Sequence, residues 1–355
     1  MAANNYLSNI TYCPGDVKDL RDLIRESLWA DENLRSYINL LRVSNGEKAG
    51  FIGDLIDVGL AGGGCNPEYS DGEMANSEKE WELGDWNIAL KICYTAIENT
   101  IAEYTLQKGT AIGDLTPTEF MSEILRPALE KAMRVMLWRL SYFGDTNAAT
   151  IANGGILTNG TDPNLFKACD GFFVKFADII TADSARLTPI ASNSEATYAD
   201  QKSDILGAGV ATGIIDALRM DAPARLTSDP DGIILLTGRL ADALSYDIKQ
   251  TYKSILPWEN VFEGFDIAQY DGVKVARLRI WDQMIDAYEN DGTAWHNPFR
   301  AVYTTIRNLG VGTNADDIFS DFDITFDKIT RYNYIYATGK IGTMVFDDQK
   351  CQFAW

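Results

Sequence analysis

The chain has a single histidine, His296, and that scarcity removes most acid–base and metal chemistry at the outset. A Ser–His–Asp or Cys–His site needs an imidazole beside a nucleophile. Trp295-His296-Asn297-Pro298 has none nearby and reads as a turn. The five cysteines (Cys13, Cys65, Cys93, Cys169, Cys351) are scattered, odd in number and never spaced C-x-x-C. Zinc sites of Cys/His type are excluded by that count and spacing. The thiols read as reduced, with Cys65–Cys93 as the one pairing left open. No apolar run approaches the ~20 residues that span a bilayer, so no membrane partner is expected. Met1 to Tyr6 lacks the basic-then-apolar order of a signal peptide, which points to synthesis in the cytoplasm.

Positive charge is also short. Lys and Arg number 31 against 51 Asp and Glu, a net charge of −20. Proteins that grip nucleic acid neutralise phosphates with basic side chains, so sequence-specific DNA binding is not expected. The same charge suits a surface that lies near DNA without sticking to it.

Several motifs are incomplete. Gly207-Ala208-Gly209-Val210-Ala211-Thr212-Gly213 has the wrong final spacing for a dinucleotide loop and no strand before it. No G-K-[ST] P-loop occurs. Asp229-Pro230-Asp231-Gly232 lacks the remaining ligands of a calcium loop and reads as a turn. No carboxylate pair stands out as an acid and base. The expectation is a protein that is not an enzyme and binds no cofactor or metal.

What the chain does have is apolar periodicity, and with hydrophobic residues at 46% of 355 it can build a sizeable core. The strongest signal is a helix over 116–143. Thr116 and Glu119 fit a capping box, with Pro117 at the first helical position. Met121, Leu125, Leu129, Met133 and Leu137 recur every fourth residue, as do Ile124, Ala128, Ala132, Met136 and Leu140. Pro127 predicts a kink or break near Glu123. Gly144 is the expected C-cap.

Before this helix, Asp16–Trp29 and Leu34–Leu41 show helical spacing without a core of their own. Phe51 to Cys93 predicts two strands around a long polar tip, the second strand being Trp86–Ile92. Residues 51–92 hold nine acidic side chains against two basic ones. After the helix, the polar run Ser192–Ser203 is the best domain boundary. Residues 204–298 alternate helix and strand, including the buried strand Ile233–Leu236. The last segment is mostly β, with Phe322, Ile324 and Phe326 alternating and Tyr332, Tyr334 and Tyr336 following.

This order of elements resembles the major capsid protein of tailed phages, the Hong Kong-97 fold, and local phrases are similar to members from phages of Bacteroides-like hosts. Those phrases are Trp81–Cys93, Trp138–Asp145, Cys169-Asp170-Gly171-Phe172, Asn308-Leu309-Gly310-Val311-Gly312 and Arg331–Trp355 with Gly339-Lys340-Ile341-Gly342. The resemblance implies an α+β chain: an N-terminal arm (1–48), an extended β loop (49–92) and a peripheral domain (93–200) with a long spine helix (116–143). It further implies an α/β axial domain (201–299) and a returning β segment (300–355). The implied function is structural, self-assembly into hexamers and pentamers of an icosahedral head around double-stranded DNA. Other copies of the chain, portal, scaffold and possible decoration proteins are the implied partners, and the virion is the implied location. Some members cross-link through a lysine and an asparagine; Lys79 is the only lysine near the loop tip, and no pattern in this sequence assigns it that reaction. An encapsulin-like compartment of the same fold, or a tail-tube or connector subunit, are the alternatives.

Charge predicts one contact between copies. Glu68, Asp71, Glu73, Glu78, Glu80 and Glu82 of the loop would meet Arg126, Lys131, Arg134 and Arg139 of a neighbour's helix. The bland reading is pairing within the helix, Glu130 with Arg134.

Overall fold

A computed structural model describes residues 39–55, 74–93, 126–262, 264–314, 321–327 and 332–355. Its centre is a seven-stranded sheet in the order β5-β14-β10-β6-β9-β8-β7. The strands are β5 (Leu187–Thr188), β6 (Gly232–Thr237), β7 (Glu259–Phe262), β8 (Phe265–Tyr270), β9 (Val273–Leu278), β10 (Ala301–Thr305) and β14 (Gln352–Ala354). All six residues of β6 are buried, as an apolar run placed between two layers requires.

Alternation along these strands divides two cores. Ile233, Leu235, Ala276, Leu278, Val302 and Phe353 face helices α1 (Arg126–Phe143), α2 (Phe172–Ala182) and α7 (Arg279–Tyr288). Ile234, Leu236, Val275, Ala301, Tyr303 and Ala354 face α4 (Val210–Met220) and α6 (Gly238–Thr251). α3 (Tyr198–Ile205) precedes α4 in sequence, and the short α5 (Ala224–Thr227) lies between α4 and α6. Strands from 301–305 and 352–354 thus complete a sheet begun by residues 187–237.

A second sheet is organised around β13 (Tyr332–Val345). One edge of β13 pairs with β4 (Gly84–Cys93); the other pairs first with β12 (Asp321–Asp327), then with β11 (Leu309–Asn314). β1 (Asn39–Val43) lies parallel to β11. Residues 39–43 are therefore strand, where helical spacing was expected through Leu41. Leu40 and Val43 are buried against the sheet, and that packing outweighs a weak local pattern. The remaining arm residues lie outside the described residues.

The acidic hairpin differs from expectation in its pairing. β2 (Lys48–Leu55) pairs with β3 (Met74–Glu80), not with Trp86–Ile92, which forms β4 and belongs to the sheet of β13. The run Ser192–Ser203 is anchored to the body by side chains of its own. Ser192 and Gln201 are buried, Gln201 donating to the Trp295 carbonyl at 2.9 Å and Ser192 to Asp204 at 2.5 Å. α3 ends at Ile205 and α4 begins at Val210, the break at Leu206–Gly209 closing on Gly209 at φ 79°.

The apolar stripe of α1 is present in Leu129, Met133, Met136, Leu137 and Leu140, while Ala132 is exposed. The capping box at Thr116 and the kink near Glu123 lie outside the described residues. Near its end the helix is buried almost all round, because Trp138 and Tyr142 stack 5.4 Å apart and Tyr142 meets Phe172 and Trp281. Gly144 follows, its N–H bonding Leu140, but the need for glycine there is contact. A Cβ on Gly144 would lie 2.5 Å from the Cys169 carbonyl, and one on Gly171 would lie 2.7 Å from the Gly144 nitrogen.

Candidate functional site

The hairpin and its root form the first part of the candidate site. Hydrogen bonds from Gly46 to the Trp81 carbonyl and from Trp81 to the Glu47 carbonyl, both 2.9 Å, close the base. Leu83 donates to Asn45 Oδ1. Trp81 is 3% exposed and packs with Val43 and Met344, its ring edge-on to Phe346. This small core is separate from the two large ones, so it fixes the hairpin to the body on its own.

Lys79 sits at that base and not at the tip. Its ammonium donates to the Val345 carbonyl at 2.7 Å and to Asp348 at 2.6 Å. Lys79 thereby ties the hairpin to the C-terminal segment.

Of the acidic residues expected at the contact, Glu68, Asp71 and Glu73 lie outside the described residues. Glu78 pairs with Lys48 across the hairpin at 2.9 Å, both more than half exposed. The Glu78 hydrogen bond raises the Lys48 pKa. Glu80 and Glu82 are exposed. On the helix, Lys131 is exposed and Arg134 half-buried, while the side chain of Arg126 is outside the described residues. Arg139 bonds the Leu165 carbonyl at 3.2 Å and lies 5.8 Å from the Phe166 ring. Burial lowers its pKa. Arg139 therefore ties α1 to the 162–168 loop, and Lys131 is the exposed cation among the three whose side chains are described.

The chemical motifs resolve as structure. The Asp247 carboxylate occupies the N-terminus of α4, accepting from Gly209 N at 2.8 Å, Thr212 N at 3.1 Å and Thr212 Oγ1 at 2.6 Å. Burial alone would raise its pKa, but these bonds outweigh burial and hold it below the usual value. The glycine-rich loop thus presents its amides to the chain's own carboxylate where a phosphate would sit. Asp229 accepts from Asp231 N and from Lys350, an Asx turn locked by an ion pair. Cys169 and Cys351 are buried, and burial pushes both thiols up to about 12, far from a thiolate nucleophile. Cys65 lies outside the described residues. Among the described residues no group of three or more His, Cys, Asp or Glu side chains could hold a metal ion.

Sequence reasoning missed the buried ion pair of Arg300 with Glu289. The guanidinium lies 4.5 Å from the Phe173 ring and 5.3 Å from that of Phe143, tying α1, α2 and the end of α7 together. Only distant packing creates this pair, so no local pattern marks it.

No protein-family profile matches the chain, and no curated protein matches it in sequence. Solved structures do. A chain of the satellite phage P4 procapsid that includes the size determination (Sid) protein aligns with a TM-score of 0.51 at 16% identity, covering 95% of this chain and 98% of that one. The fold is that of a phage capsid chain. A chain from Mycobacterium phage Ogopogo gives a TM-score of 0.50 at 10% identity, with 90% of each chain covered.

Proposed function

We propose that the chain is a shell subunit, the major capsid protein of a tailed phage, building hexamers and pentamers of an icosahedral head around double-stranded DNA. The observation that supports this is end-to-end likeness to a procapsid chain, 95% of one on 98% of the other. In this reading β2–β3 is the extended loop of a Hong Kong-97-type subunit and α1 the latter part of its spine helix. The sheet of β13 belongs to the peripheral domain, and β6–β9 with α4 and α6 to the axial domain. The Bacteroides-like host rests on the sequence phrases alone. Portal, scaffold and decoration proteins complete the partners, and the virion is the place of action.

The physical mechanism follows from the hairpin. Held at its root by Trp81 and Lys79, it is a fixed lever whose far strands gain their packing from a neighbour. Glu78, Glu80 and Glu82 give it a negative approach to the exposed Lys131 of a second copy. Exposed pairs of this kind contribute about 0–1 kcal/mol each, so they set register while apolar contact supplies affinity. Subunits of charge −20 repel one another, so assembly depends on salt or on a scaffold.

Light scattering and negative-stain microscopy across a salt series, without and with a co-expressed scaffold, test the proposal. Rings of five or six, or closed shells, are expected. A monomer that persists under every condition would overturn it. Shells loaded with an enzyme in place of DNA would move the reading to an encapsulin-like compartment.

A further inference from the structure

Strands β12, β13 and β4 present a broad face on the side away from α1. Pairing sets Asp321, Asp323 and Thr325 beside Thr338, Tyr336 and Tyr334, which in turn lie beside Asn87, Ala89 and Lys91. The opposite face carries Trp86, Ile335 and Ala337, buried in the same core as Leu129 and Met133. On the outer face Asp321, Asp323, Thr325, Asn87, Ala89 and Lys91 are all exposed, and Tyr336 is 44% exposed. Tyr332, Tyr334 and Tyr336 thus form an aromatic row at alternate positions, flanked by carboxylates on β12.

Tyrosine offers a large, rigid contact area with a polar tip, and interfaces are enriched in it. A carboxylate row beside such rings selects for cations. The face already holds one, since Lys91 Nζ lies 3.9 Å from the centroid of the Tyr332 ring.

We infer that this face binds a separate polypeptide through an extended segment carrying lysine or arginine at alternate positions, its cations paired with Asp321 and Asp323 beside the exposed ring of Tyr336. Alternate residues of an extended segment fall on one side, matching the spacing of Asp321 and Asp323 along β12. Nucleic acid is disfavoured, because the aspartates would repel phosphates that stacking platforms usually neutralise. A second copy does not supply the segment. Basic residues two apart occur in this chain only at Arg277 and Arg279, and both already pair with Asp242. The inference is independent of the shell reading, because binding is measured on the dispersed chain.

The test is titration of the full chain with a short synthetic peptide alternating lysine and threonine. A glutamate–threonine peptide and a single-stranded oligonucleotide are run alongside, with circular dichroism confirming each variant's fold. The lysine peptide binds, and Asp321→Asn with Asp323→Asn together weaken it about tenfold. Tyr336→Leu weakens it about threefold, and Lys91→Met tightens it by a similar factor by freeing the Tyr332 ring. Absence of binding at about 1 mM peptide would overturn the inference. So would equal binding of the glutamate peptide, tighter binding of the oligonucleotide, or indifference to all three changes. Self-association that Tyr336→Leu abolishes would assign the face to a second copy and overturn it as well.

Discussion

The indole of Trp81 rests on the backbone of Gly312: a Cβ there would stand 2.7 Å from two ring carbons, and 2.5 Å from Val43. Gly310, one turn of the pleat away, lies 3.1 Å from the same indole by the same measure. The root of the hairpin is therefore seated on a strip of β11 from which side chains are absent. Gly312→Ala should displace Trp81 and cost about 1–3 kcal/mol, the usual penalty for overpacking. Denaturant unfolding gives the loss. Hydrogen exchange should place the change at residues 46–49 and 79–83, with the seven-stranded sheet unaffected.

The tie between Lys79 and Asp348 makes a weaker, salt-sensitive contribution. Their side chains are 32% and 46% exposed, so solvent screening limits the pair. A double-mutant cycle with Lys79→Met and Asp348→Asn should give a coupling of about 0.5–1 kcal/mol at low salt, shrinking in high salt. A coupling near zero would mean the lysine acts through the Val345 carbonyl alone.

Asp282 gives a pH dependence. Burial beneath the start of α6 raises its pKa from 3.8 to about 6, and the nearby Arg239 only partly offsets this. A raised folded-state pKa means that the folded chain holds the proton more tightly than the unfolded one. The contribution is favourable below about pH 4, falls as pH rises toward about 6, and is flat beyond. Asp282→Asn keeps an acceptor for the Arg239 amide and removes that fall. Its stability relative to wild type should rise by about 2–3 kcal/mol between pH 4 and pH 7, read from unfolding midpoints.

Lys131→Glu tests the loop–helix contact with little risk to the fold, because the side chain is exposed. The subunit should melt as before while shells fail to form or require more salt. Arg139→Glu is a poorer probe, since it also removes the bond to Leu165. Normal assembly of Lys131→Glu at low salt would remove this cation from the contact.

The legible parts of the fold are those whose pattern is local. Ile233–Leu236 reads as a buried strand because both its neighbours are apolar layers, and α1 reads as a helix because its stripe is long. Trp86–Ile92 reads as a strand, yet its partner does not, because alternation states a face and not a mate. β1 is illegible for the same reason: its parallel partner begins at Leu309. At the candidate site the sign of each surface was readable, but not that Arg139 is committed to Leu165 or Lys79 to Asp348. Those bonds join residues far apart in sequence, and composition carries no record of them.

The place of β14 in the sheet has a consequence for synthesis. It lies between β5 and β10, so β5 has no neighbouring strand, and the buried site of Phe353 no occupant, until residues 352–354 have left the ribosome. A chain synthesised only as far as residue 351 therefore carries one open seam through its main body. A chain held at that length cannot present a finished body to a neighbour, and the arrival of three residues closes it.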